Sequence, residues 1–406
     1  MKFPYKTVRD VDVQGKQILM RVDYNVPLND DGSISDDFRI TASLPTIRYL
    51  LKRGVRLVLI SHLGRPDGRV DEKYSLEPVA ASLSDQLGQP VQFVRDCVGD
   101  AVSVATKKLT AGNVILLENL RFHPGEEAND RNFAADLAQS SHADLFVEDG
   151  FGVVHRAHAS TVAITEFLPG VAGFLLEKEY TEIKAATDDP NRPLTTVLGG
   201  AKISDKIPLV KKFITIADRV VIGGAMANNF LKYLGHDVAD SLVEPDMDTV
   251  IKDILNAAHD KFGAEFDQRF ILPVDVAVAE YGDKHAVRLE LPLGAVHGRM
   301  QIFDIGNNTI EAVDRSAVES GTVIWNGTLG VAEQENFAHG SARLAMALAT
   351  HPHVVSVIGG GDTADFVRGW DSLHGGSFTH VSTGGGASLE LMAGNTLPGI
   401  AALLPK

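Results

Sequence analysis

Short apolar runs rich in β-branched residues recur along the chain, and segments with helical spacing lie between them. Such runs predict buried strands. In chain order the predicted strands are 17–23, 56–61, 113–117, 144–147, 194–198, 219–222, 269–272, 322–325, 354–358 and 379–381. The segment 280–308 follows neither pattern, and we expect hairpins or loops there. Strands that alternate with helices are typical of parallel βαβ units, so the sequence predicts an α/β fold with ligand sites at the carboxyl ends of the strands.

Three helices are predicted between these strands. Apolar positions recur three and four apart in 41–53. A second helix is expected over 75–87, with Ser75 as its N-cap. A third, over 173–187, ends at the break 188–193, which contains two prolines. We interpret this third helix and the break as the connection between two domains.

The composition limits the class of protein. A chain of 406 residues with 44% hydrophobic and 22% charged residues is typical of a globular protein with two domains. No apolar run has transmembrane length, and the first residues lack the apolar core of a signal peptide. Cys97 is the single cysteine, which excludes an intrachain disulfide and favours a cytoplasmic location. The net charge of -15 argues against nucleic acid as a partner, and no membrane association is expected.

Two glycine triplets, 359–361 and 384–386, each follow a predicted strand and precede a helix-like segment. Glycine lets backbone N–H groups approach a ligand closely, and the positive end of a helix dipole favours an anion. One such turn is a weak signal, but two close together indicate a surface for several phosphates. The alternative is that the glycines only form tight turns between strands and helices.

Polar side chains beside similar turns suit a polyphosphate. Lys202 and Lys206 are one helical turn apart after a predicted strand, although solvated lysines on an amphipathic helix would give the same spacing. Asp362 follows the first triplet, where it could contact Mg²⁺, serve as a helix N-cap, or do both. Asn326 and Glu333 accompany another turn in which glycine follows a strand.

Cationic side chains lie beside the predicted strand ends of the first half. They are Arg21, Arg39, His62, Arg65, Arg121 and Arg156. Asp23 and Asn25 lie on the same rim and could bind a hydroxyl group. Arginine forks match phosphate and carboxylate, so converging arginines could hold a small doubly anionic molecule. Any single arginine could be a solvated surface charge, but several separate loops place cations at one predicted edge.

Other kinds of site match the sequence less well. The pairs His155/His158 and His351/His353 lack a third ligand for a metal ion. Residues 359–364 match the dinucleotide pattern G-x-G-x-x-A, but the next predicted strand does not end in the acidic residue that would bind ribose. The P-loop pattern and the protein-kinase signatures are absent from the sequence.

In order along the chain, these motifs closely resemble those of the phosphoglycerate kinase family from end to end. They are Arg21-Val-Asp-Tyr-Asn-Val-Pro27, Ser61-His-Leu-Gly-Arg-Pro-Asp67, Leu117-Glu-Asn-Leu-Arg-Phe-His123, His155-Arg-Ala-His-Ala-Ser160, Ala172-Gly-Phe-Leu-Leu-Glu-Lys-Glu179, Leu198-Gly-Gly-Ala-Lys202, the triplet at 359–361 with Asp362 and Thr363, and Val381-Ser-Thr-Gly-Gly-Gly-Ala-Ser-Leu-Glu390. The resemblance implies two Rossmann-like parallel-sheet domains that face a central cleft. The implied limits are 1–171 for a 3-phosphoglycerate domain, 172–189 for a connecting helix and hinge, 190–390 for a nucleotide domain, and 391–406 for a tail that returns to the first domain.

The resemblance also implies the ligand-binding residues. The 3-phosphoglycerate set is Asp23, Asn25, Arg39, His62, Leu63, Gly64, Arg65, Arg121 and Arg156, with Arg21 in support. The MgATP or MgADP set is Gly200, Ala201, Lys202, Lys206, Gly223, Gly224, Asn326, Glu333, Gly360, Gly361, Asp362 and Thr363. Within the second set the lysines would contact phosphates, Glu333 the ribose and Asp362 the Mg²⁺ ion.

The implied reaction is reversible phosphoryl transfer between ATP and the carboxylate of 3-phosphoglycerate, which gives 1,3-bisphosphoglycerate and ADP. That carboxylate is already ionised at neutral pH, so no general base is needed, and positioning and electrostatic stabilisation are expected instead. The groups expected to stabilise the transferring phosphoryl are Arg39, Lys202 and the backbone amides of Gly361, Gly384, Gly385 and Gly386. Closure about a hinge and a monomeric state are expected.

Some positions depart from the family pattern. Thr328 and Ala332 replace a proline and a phenylalanine, and Ile302 and Phe303 replace other residues at the expected adenine pocket. These changes leave the nucleotide preference open. Three alternatives also stay open: a kinase for a related phosphorylated acid, a nucleotide-binding protein without catalysis and, more remotely, a NAD-dependent dehydrogenase.

Overall fold

The chain forms two compact units. The computed structural model describes residues 2–280 and 287–406. Unit 1 comprises Met1–Thr181 and Asn395–Lys406, and unit 2 comprises Glu182–Gly394. Among the described residues, no helix has both the length and the apolar character needed to cross a lipid bilayer.

The described part of unit 1 is built on a six-stranded parallel sheet. Its strands are β1 (Gln17–Arg21), β2 (Arg56–Ile60), β3 (Val91–Val94), β4 (Val114–Leu117), β5 (Leu145–Glu148) and β6 (Gly170–Ala172). The order across the sheet is β3-β4-β2-β1-β5-β6. The helices of this part are α1 (Phe38–Leu51), α2 (Glu77–Leu87), α3 (Asp100–Lys107), α4 (Arg131–Ser141) and the first part of α5 (Phe174–Asp188).

The central strands of this sheet are buried, which explains why their residues are mostly apolar. Every residue of β1 is buried, and so is every residue of β2 except the first. Parallel strands covered on both faces read as continuous apolar runs rather than as alternating ones. The one charged side chain inside β1 is Arg21, which is completely buried at its carboxyl end. A buried charge needs partners, and Arg21 finds them among the loops that form the candidate site.

Unit 2 contains a second six-stranded parallel sheet and a small antiparallel sheet in its described part. The strands are β7 (Leu194–Leu198), β8 (Arg219–Ile222), β9 (Phe270–Ile271), β10 (Asp275–Glu280), β11 (Leu289–Pro292), β12 (Met300–Ile305), β13 (Thr322–Asn326), β14 (Val355–Gly359) and β15 (His380–Val381). The parallel order is β15-β14-β13-β7-β8-β9, and the antiparallel order is β11-β10-β12. The helices are α6 (Ile207–Ile216), α7 (Gly224–Tyr233), α8 (Asp248–Phe262), α9 (Phe266–Arg269), α10 (Asn307–Val318), α11 (His339–Thr350), α12 (Gly361–Trp370) and α13 (Gly385–Met392).

The two parallel sheets confirm the predicted α/β class. The prediction of Ser75 as an N-cap is wrong, because α2 has Leu76 at that position. The Ser75 hydroxyl instead donates to the buried carboxylate of Glu118 at 2.8 Å. The strands β3 and β6 and the helices α3 and α4 were not predicted. The expected hairpins in 280–308 take the form of β11 and β12, which both pair with β10, while 281–286 lie outside the described residues.

Residues 395–406 return to unit 1 and include α14 (Pro398–Ala401). The backbone nitrogen of Leu404 donates to the carbonyl of Gly170 at 2.9 Å, so the segment joins the chain at β6. The side chains of Ile400 and Leu403 are each only 3% exposed. This segment is therefore part of the packed interior of unit 1.

Candidate active site

The polar loops of unit 1 meet at the carboxyl edge of its sheet. Because β4, β2, β1 and β5 are neighbours in that order, the loops that follow them lie side by side. The loop after β1 carries Asp23 and Asn25, the loop after β2 carries His62, and the turn after β4 carries Arg121. Arg39 joins them from the first turn of α1.

We call six side chains at this edge the basic patch: Arg21, Arg39, His62, Arg121, Arg156 and His158. They act on one another electrostatically. Arg65, which was also predicted to bind the acceptor, follows Gly64 in the same loop and is exposed.

Hydrogen bonds between loops fix the rim of the basic patch. The Nη1 atom of Arg39 donates to Asp23 Oδ2 at 2.8 Å. The backbone nitrogen of Gly64 donates to Asn25 Oδ1 at 2.8 Å, and its carbonyl accepts from Arg121 Nη1 at the same distance. The loops after three different strands are thereby tied together. Asp23 and Asn25 serve to hold the rim in this structure, in addition to any contact with a ligand.

The histidines of the basic patch are neutral at pH 7. Burial, and then the nearby Arg21, Arg121 and Arg39, hold the pKa of His62 well below its usual range. The same causes, with Arg156 in place of Arg39, lower the pKa of His158 to about 4. His62 and His158 therefore contribute hydrogen bonds rather than charge.

Potential metal ligands also come together in unit 1, away from both histidine pairs. Within the described ranges, the group of three metal-ligand types that come within 4.8 Å is Asp96, Cys97 and His123. Its geometry is that of a structural contact, because His123 Nε2 lies 2.8 Å from Asp96 Oδ1. Burial also raises the pKa of the Cys97 thiol well above its usual range, which disfavours the thiolate that metals bind.

Two buried carboxyl groups at the end of β5 were not predicted as important. Glu148 and Asp149 are both fully buried. Asp149 Oδ1 accepts from the backbone nitrogens of Leu175 and Leu176 at 2.9 and 3.1 Å. Asp149 therefore caps the start of α5 from a distant part of the chain. The sequence shows an acidic pair after a strand, but nothing local reveals a partner 26 residues away.

A cavity of about 280 Å³ lies at the carboxyl edge of the parallel sheet in unit 2. Its lining includes nucleotide-site residues predicted from the sequence: Gly200, Ala201, Lys202, Lys206, Asn326, Gly360, Gly361, Asp362 and Thr363. It also includes four residues absent from that prediction: Asp205, Gly327, Thr328 and Leu389. The loops after β7, β13 and β14 supply most of this lining, and these strands are neighbours in the sheet.

The two glycine triplets start two helices that meet beside this cavity. Gly360 is the N-cap of α12, and Gly384 is the N-cap of α13. A Cβ atom added to Gly385 would lie 3.1 Å from the backbone nitrogen of Gly361. The positive ends of both helix dipoles therefore point to one region. The amide of Gly384 already donates to Ser382 Oγ at 3.2 Å, whereas Gly385 and Gly386 form the first turn of α13.

The two predicted phosphate-binding lysines have different environments. The prediction that they start one helical face is wrong, because α6 begins at Ile207 and Lys202 lies in the loop before it. Lys202 is exposed, whereas Lys206 Nζ donates to the carbonyls of Gly199 and Asn326 at 2.7 and 3.1 Å. Burial lowers the pKa of Lys206 to about 8, although Asp362 partly opposes that effect.

Asn326 presents unused hydrogen-bonding capacity to the cavity. Its side chain is 1% exposed, and neither Oδ1 nor Nδ2 has a hydrogen-bond partner in the described part of the chain. A buried amide without partners is costly, so this residue is ready to bind a polar ligand group. Asp362 lies in the first turn of α12 with an exposed side chain, so the prediction of an N-cap role is wrong.

Glycine is required where the loops around the cavity touch. A Cβ atom on Gly199 would lie 2.1 Å from the carbonyl oxygen of Thr328, and one on Gly224 would lie 2.5 Å from the backbone nitrogen of Gly200. Gly224 also lines a narrow second cavity with Ile302 and Phe303. This is where the sequence predicted the adenine pocket. Gly223 precedes α7 as its N-cap, while Glu333 is exposed and lines neither cavity.

Comparison with known proteins identifies the family. The family model described as phosphoglycerate kinase matches residues 8–395. The chain belongs to the phosphoglycerate kinase family. A phosphoglycerate kinase from Pelotomaculum thermopropionicum is 45% identical over 401 residues, which cover 99% of each chain. One from Chloroflexus aggregans is 46% identical over 402 residues and 98% of each chain.

Solved structures of the family have the same fold. The chain matches the structure of phosphoglycerate kinase from Coxiella burnetii with a TM-score of 0.84 and 34% identity. It matches the crystal structure of phosphoglycerate kinase from Pyrococcus horikoshii OT3 with a TM-score of 0.83 and 33% identity. Each match covers 98% of both chains. The resemblance seen in the sequence motifs is thereby confirmed.

Proposed function

We propose that the chain catalyses reversible phosphoryl transfer between ATP and the carboxylate of 3-phosphoglycerate, giving ADP and 1,3-bisphosphoglycerate, as a step of glycolysis or gluconeogenesis. The family match over residues 8–395 supports this reaction. The observation that carries the assignment of the nucleotide site is the cavity of unit 2. Two helix N-termini and two lysines come together there with Asn326, whose buried amide has no partner among the described residues.

Unit 2 is proposed to bind the nucleotide. The first turns of α12 and α13 offer backbone N–H groups that have no partner within a helix, which suits phosphate oxygens. Lys206 uses two of its three protons on carbonyls, which leaves one for a phosphate. Lys202 is exposed and can follow the γ-phosphoryl group. The narrow cavity at Ile302 and Phe303 would widen to accept adenine, with Gly200, Ala201, Gly223 and Gly224 around it, and Glu333 would reach the ribose.

Mg²⁺ is proposed as the cofactor, bound together with the nucleotide. The residues present fit this ion, because Asp362 offers an exposed carboxylate beside the cavity and Mg²⁺ in nucleotide sites takes one or two carboxylates plus phosphate oxygens. The ion would supply neutralisation of phosphate charge. We expect Asp362→Asn to weaken binding of MgADP in calorimetry but not binding of metal-free ADP, because the change removes a negative charge beside the phosphates.

Unit 1 is proposed to bind 3-phosphoglycerate at the basic patch. Arg39, Arg121 and Arg156 supply fixed positive charge for a carboxylate and a phosphate, and Arg65 is free to turn toward them. His62 and His158 supply neutral hydrogen bonds. Asp23 and Asn25 would meet the hydroxyl group of the substrate, and Leu63 and Gly64 would border it.

The transfer is proposed to be direct and in line. The attacking carboxylate is ionised at neutral pH, so the main barrier is repulsion between anions. Arg39, Lys202 and the amides of Gly361, Gly385 and Gly386 would stabilise the charge of the transferring phosphoryl group. The amide of Gly384 would take part only after releasing Ser382.

Because the two ligands bind different domains, a hinge movement must bring them together and exclude water. We propose 172–189 as the main hinge, between the domains 1–171 and 190–390. The tail 391–406 begins within α13 of unit 2, and its residues 395–406 belong to unit 1. We also propose that the protein is a monomer located in the cytoplasm.

A coupled assay tests the proposed reaction. ADP formation from MgATP and 3-phosphoglycerate would be followed for the wild type, Lys202→Ala and Lys211→Ala. Lys211 is exposed on α6, away from the cavity lining, so it is the matched control. We expect a loss of roughly 10²–10³-fold for Lys202→Ala, by analogy with removal of one preorganised donor, and near wild-type activity for Lys211→Ala.

A second pair of variants tests the proposed 3-phosphoglycerate site in the same assay. Arg39→Ala should lose activity to a similar degree, whereas Arg53→Ala, beyond the opposite end of α1, should retain it. A wild-type protein that binds both ligands in calorimetry but forms no ADP would contradict the kinase function and favour a nucleotide-binding role without catalysis.

A further inference from the structure

Arg21 and His62 form the buried centre of the basic patch. Arg21 is completely buried at the end of β1, and His62 is 4% exposed just after the neighbouring strand β2. The Nη2 atom of Arg21 lies 3.1 Å from Nδ1 of His62. This is hydrogen-bond distance between two nitrogens of buried side chains.

The chemistry of this contact fixes the state of the imidazole ring. A guanidinium group has five N–H donors, has no acceptor and stays protonated in proteins. Nδ1 of His62 must therefore accept with its lone pair, and it carries no proton. A neutral imidazole that accepts at Nδ1 has its hydrogen on Nε2. His62 is then a donor through Nε2.

Asp23 is the group that could oppose this arrangement. A carboxylate bonded to Nδ1 would favour a proton on that nitrogen. However, Asp23 Oδ1 lies 4.0 Å from Nδ1, which is too far for a hydrogen bond. Its two oxygens are already engaged, because Oδ2 accepts from Arg39 at 2.8 Å and Oδ1 accepts from the backbone nitrogen of Asn25 at 3.2 Å. The contact with Arg21 therefore decides the tautomer.

Arg21 cannot easily turn away from His62, because its other nitrogens are held. Nε donates to Ser160 Oγ at 2.9 Å, and Nη1 donates to the carbonyl of Val22 at 2.5 Å. Ser160 is fixed in turn by the buried carboxylate of Glu126, which accepts from its hydroxyl at 2.6 Å and from its backbone nitrogen at 3.0 Å. The orientation of the guanidinium group is thus set by two contacts that do not involve His62.

The electrostatic surroundings agree with a neutral ring. The charged and titratable groups that face His62 from the surrounding elements are Arg21, Arg121, Arg39, His158 and Asp23. Four of these five are cations or potential cations, and they disfavour a second proton on the ring. The single carboxylate is paired with Arg39. A positively charged His62 would be buried among like charges.

We propose that Arg21 is a positioning residue that holds His62 as the neutral tautomer with its hydrogen on Nε2, so that His62 presents one N–H donor to an anionic group of the acceptor substrate. The second half of this statement rests on the proposed function. The tautomer itself is a property of the protein without ligand, so it can be measured separately.

Nuclear magnetic resonance of the intact protein tests the tautomer. With ¹⁵N-labelled histidine, two-bond ¹H–¹⁵N spectra would be recorded between about pH 5 and pH 8. The signals of His62 are assigned by their loss in His62→Gln. We expect Nδ1 to resonate as an unprotonated nitrogen and Nε2 as a protonated one, with neither shift moving across this range. A proton on Nδ1, or a titration near the ordinary histidine value of about 6.5, would overturn the proposal.

Two variants test the part played by Arg21. Arg21→Met removes both the donor and the charge, so His62 should sample both tautomers and its pKa should rise. Arg21→Lys retains a donor and a charge and should preserve the Nε2–H form. A folded Arg21→Met protein with the wild-type histidine spectrum would show that Arg21 does not set the tautomer. If Arg21→Met does not fold, the spectra of Arg21→Lys and of the wild type still test the proposal. A hydrogen on Nδ1 of His62 in either protein contradicts it.

A matched pair of variants tests the role of the donor in binding. The amide nitrogen of glutamine can replace Nε2, whereas that of asparagine reaches only as far as Nδ1. The KM for 3-phosphoglycerate should be roughly 10–100-fold higher for His62→Asn than for His62→Gln, as expected for loss of one hydrogen bond to a charged group, while kcat changes less. Equal KM values would refute the donor role. An inactive wild type with the expected spectrum would instead refute the proposed function alone.

Discussion

The Oδ1 atom of Asp149 lies 2.9 Å from the backbone nitrogen of Leu175, in the first turn of α5. The first N–H groups of a helix have no partner within the helix, so this carboxyl group satisfies two of them. Its Oδ2 atom is buried without a hydrogen-bond partner in the described ranges. Burial raises the pKa of Asp149 from 3.8 to about 7. A titratable group thus caps the helix that crosses from unit 1 to unit 2.

The pKa of Asp149 predicts how stability depends on pH. Because the folded pKa exceeds the unfolded one, the folded state binds this proton more tightly, and the associated stability is lost as pH rises from about 4 to about 7. Asp149→Asn keeps an acceptor at Oδ1 but cannot ionise. In urea unfolding, the free energy of unfolding of the variant, relative to that of the wild type, should therefore increase as pH rises from 5 to 8.

Asp189→Asn is the control for this comparison, since Asp189 is exposed just beyond the other end of α5. A constant difference between Asp149→Asn and the wild type across these pH values would contradict the prediction.

Lys206 should make nucleotide binding depend on pH. Its pKa of about 8 means that the ammonium loses its charge in mildly alkaline solution. If Lys206 contacts a phosphate, the Kd of MgADP should rise as pH increases through about 8, because a cation is lost from the site. Lys206→Arg keeps its charge at every such pH and should show a flatter profile. Calorimetric titrations at pH 7 and pH 9 measure the Kd of MgADP for both proteins. Identical profiles for the two proteins would rule out this role for Lys206.

Two glycines of α12 allow a matched test of the nucleotide site. A Cβ atom on Gly361 or on Gly369 would meet nothing within 4 Å, so Gly361→Ala and Gly369→Ala should both fold. Gly361 lines the cavity at the start of the helix, whereas Gly369 lies near its end. We expect Gly361→Ala to weaken binding of MgADP several-fold, because its methyl group would take the place of phosphate oxygens. Gly369→Ala should bind normally and gain up to about 1 kcal/mol of stability. Equal affinities would argue against phosphate contact at Gly361.

Thr363 should support unit 2 through one hydrogen bond. Its Oγ1 accepts from the backbone nitrogen of Gly327 at 2.7 Å, and the side chain is 1% exposed. Thr363→Val keeps the shape but leaves that N–H without an acceptor, so unfolding free energy should fall by about 1–3 kcal/mol. Thr363→Ser keeps the oxygen and should be closer to the wild type. Denaturant unfolding of both variants checks this, and the reverse order of stability would contradict it.

The sequence predicted strands best where they lie at the centre of a covered parallel sheet. The limits of β7 and β8 agree with the predictions, because both strands are rich in β-branched residues and are followed directly by glycines. The short edge strand β3 has only one buried residue, Val94, after three that are partly buried or exposed, and it was not recognised. The limits of the antiparallel strands β11 and β12 were not predicted for a similar reason, since most of their residues are only partly buried.

The candidate site was predicted as a set of residues but not as a set of contacts. Sequence motifs located Lys206 and Asn326, yet nothing in them shows that Lys206 Nζ is hydrogen-bonded to two carbonyl groups. Likewise Arg21 was expected to support the basic patch, but its contact with His62 Nδ1 depends on the pairing of β1 with β2. Such contacts depend on which strands become neighbours, and local sequence does not determine this.

The return of residues 395–406 to unit 1 has a consequence for synthesis on the ribosome. Unit 2 is one continuous stretch of chain, so all of its residues are available once Gly394 has left the exit tunnel. Unit 1 begins earlier but still lacks Ile400, Leu403 and the strand-like contact of Leu404 with Gly170 at that moment. The part of the chain made first is therefore the part whose interior is completed last.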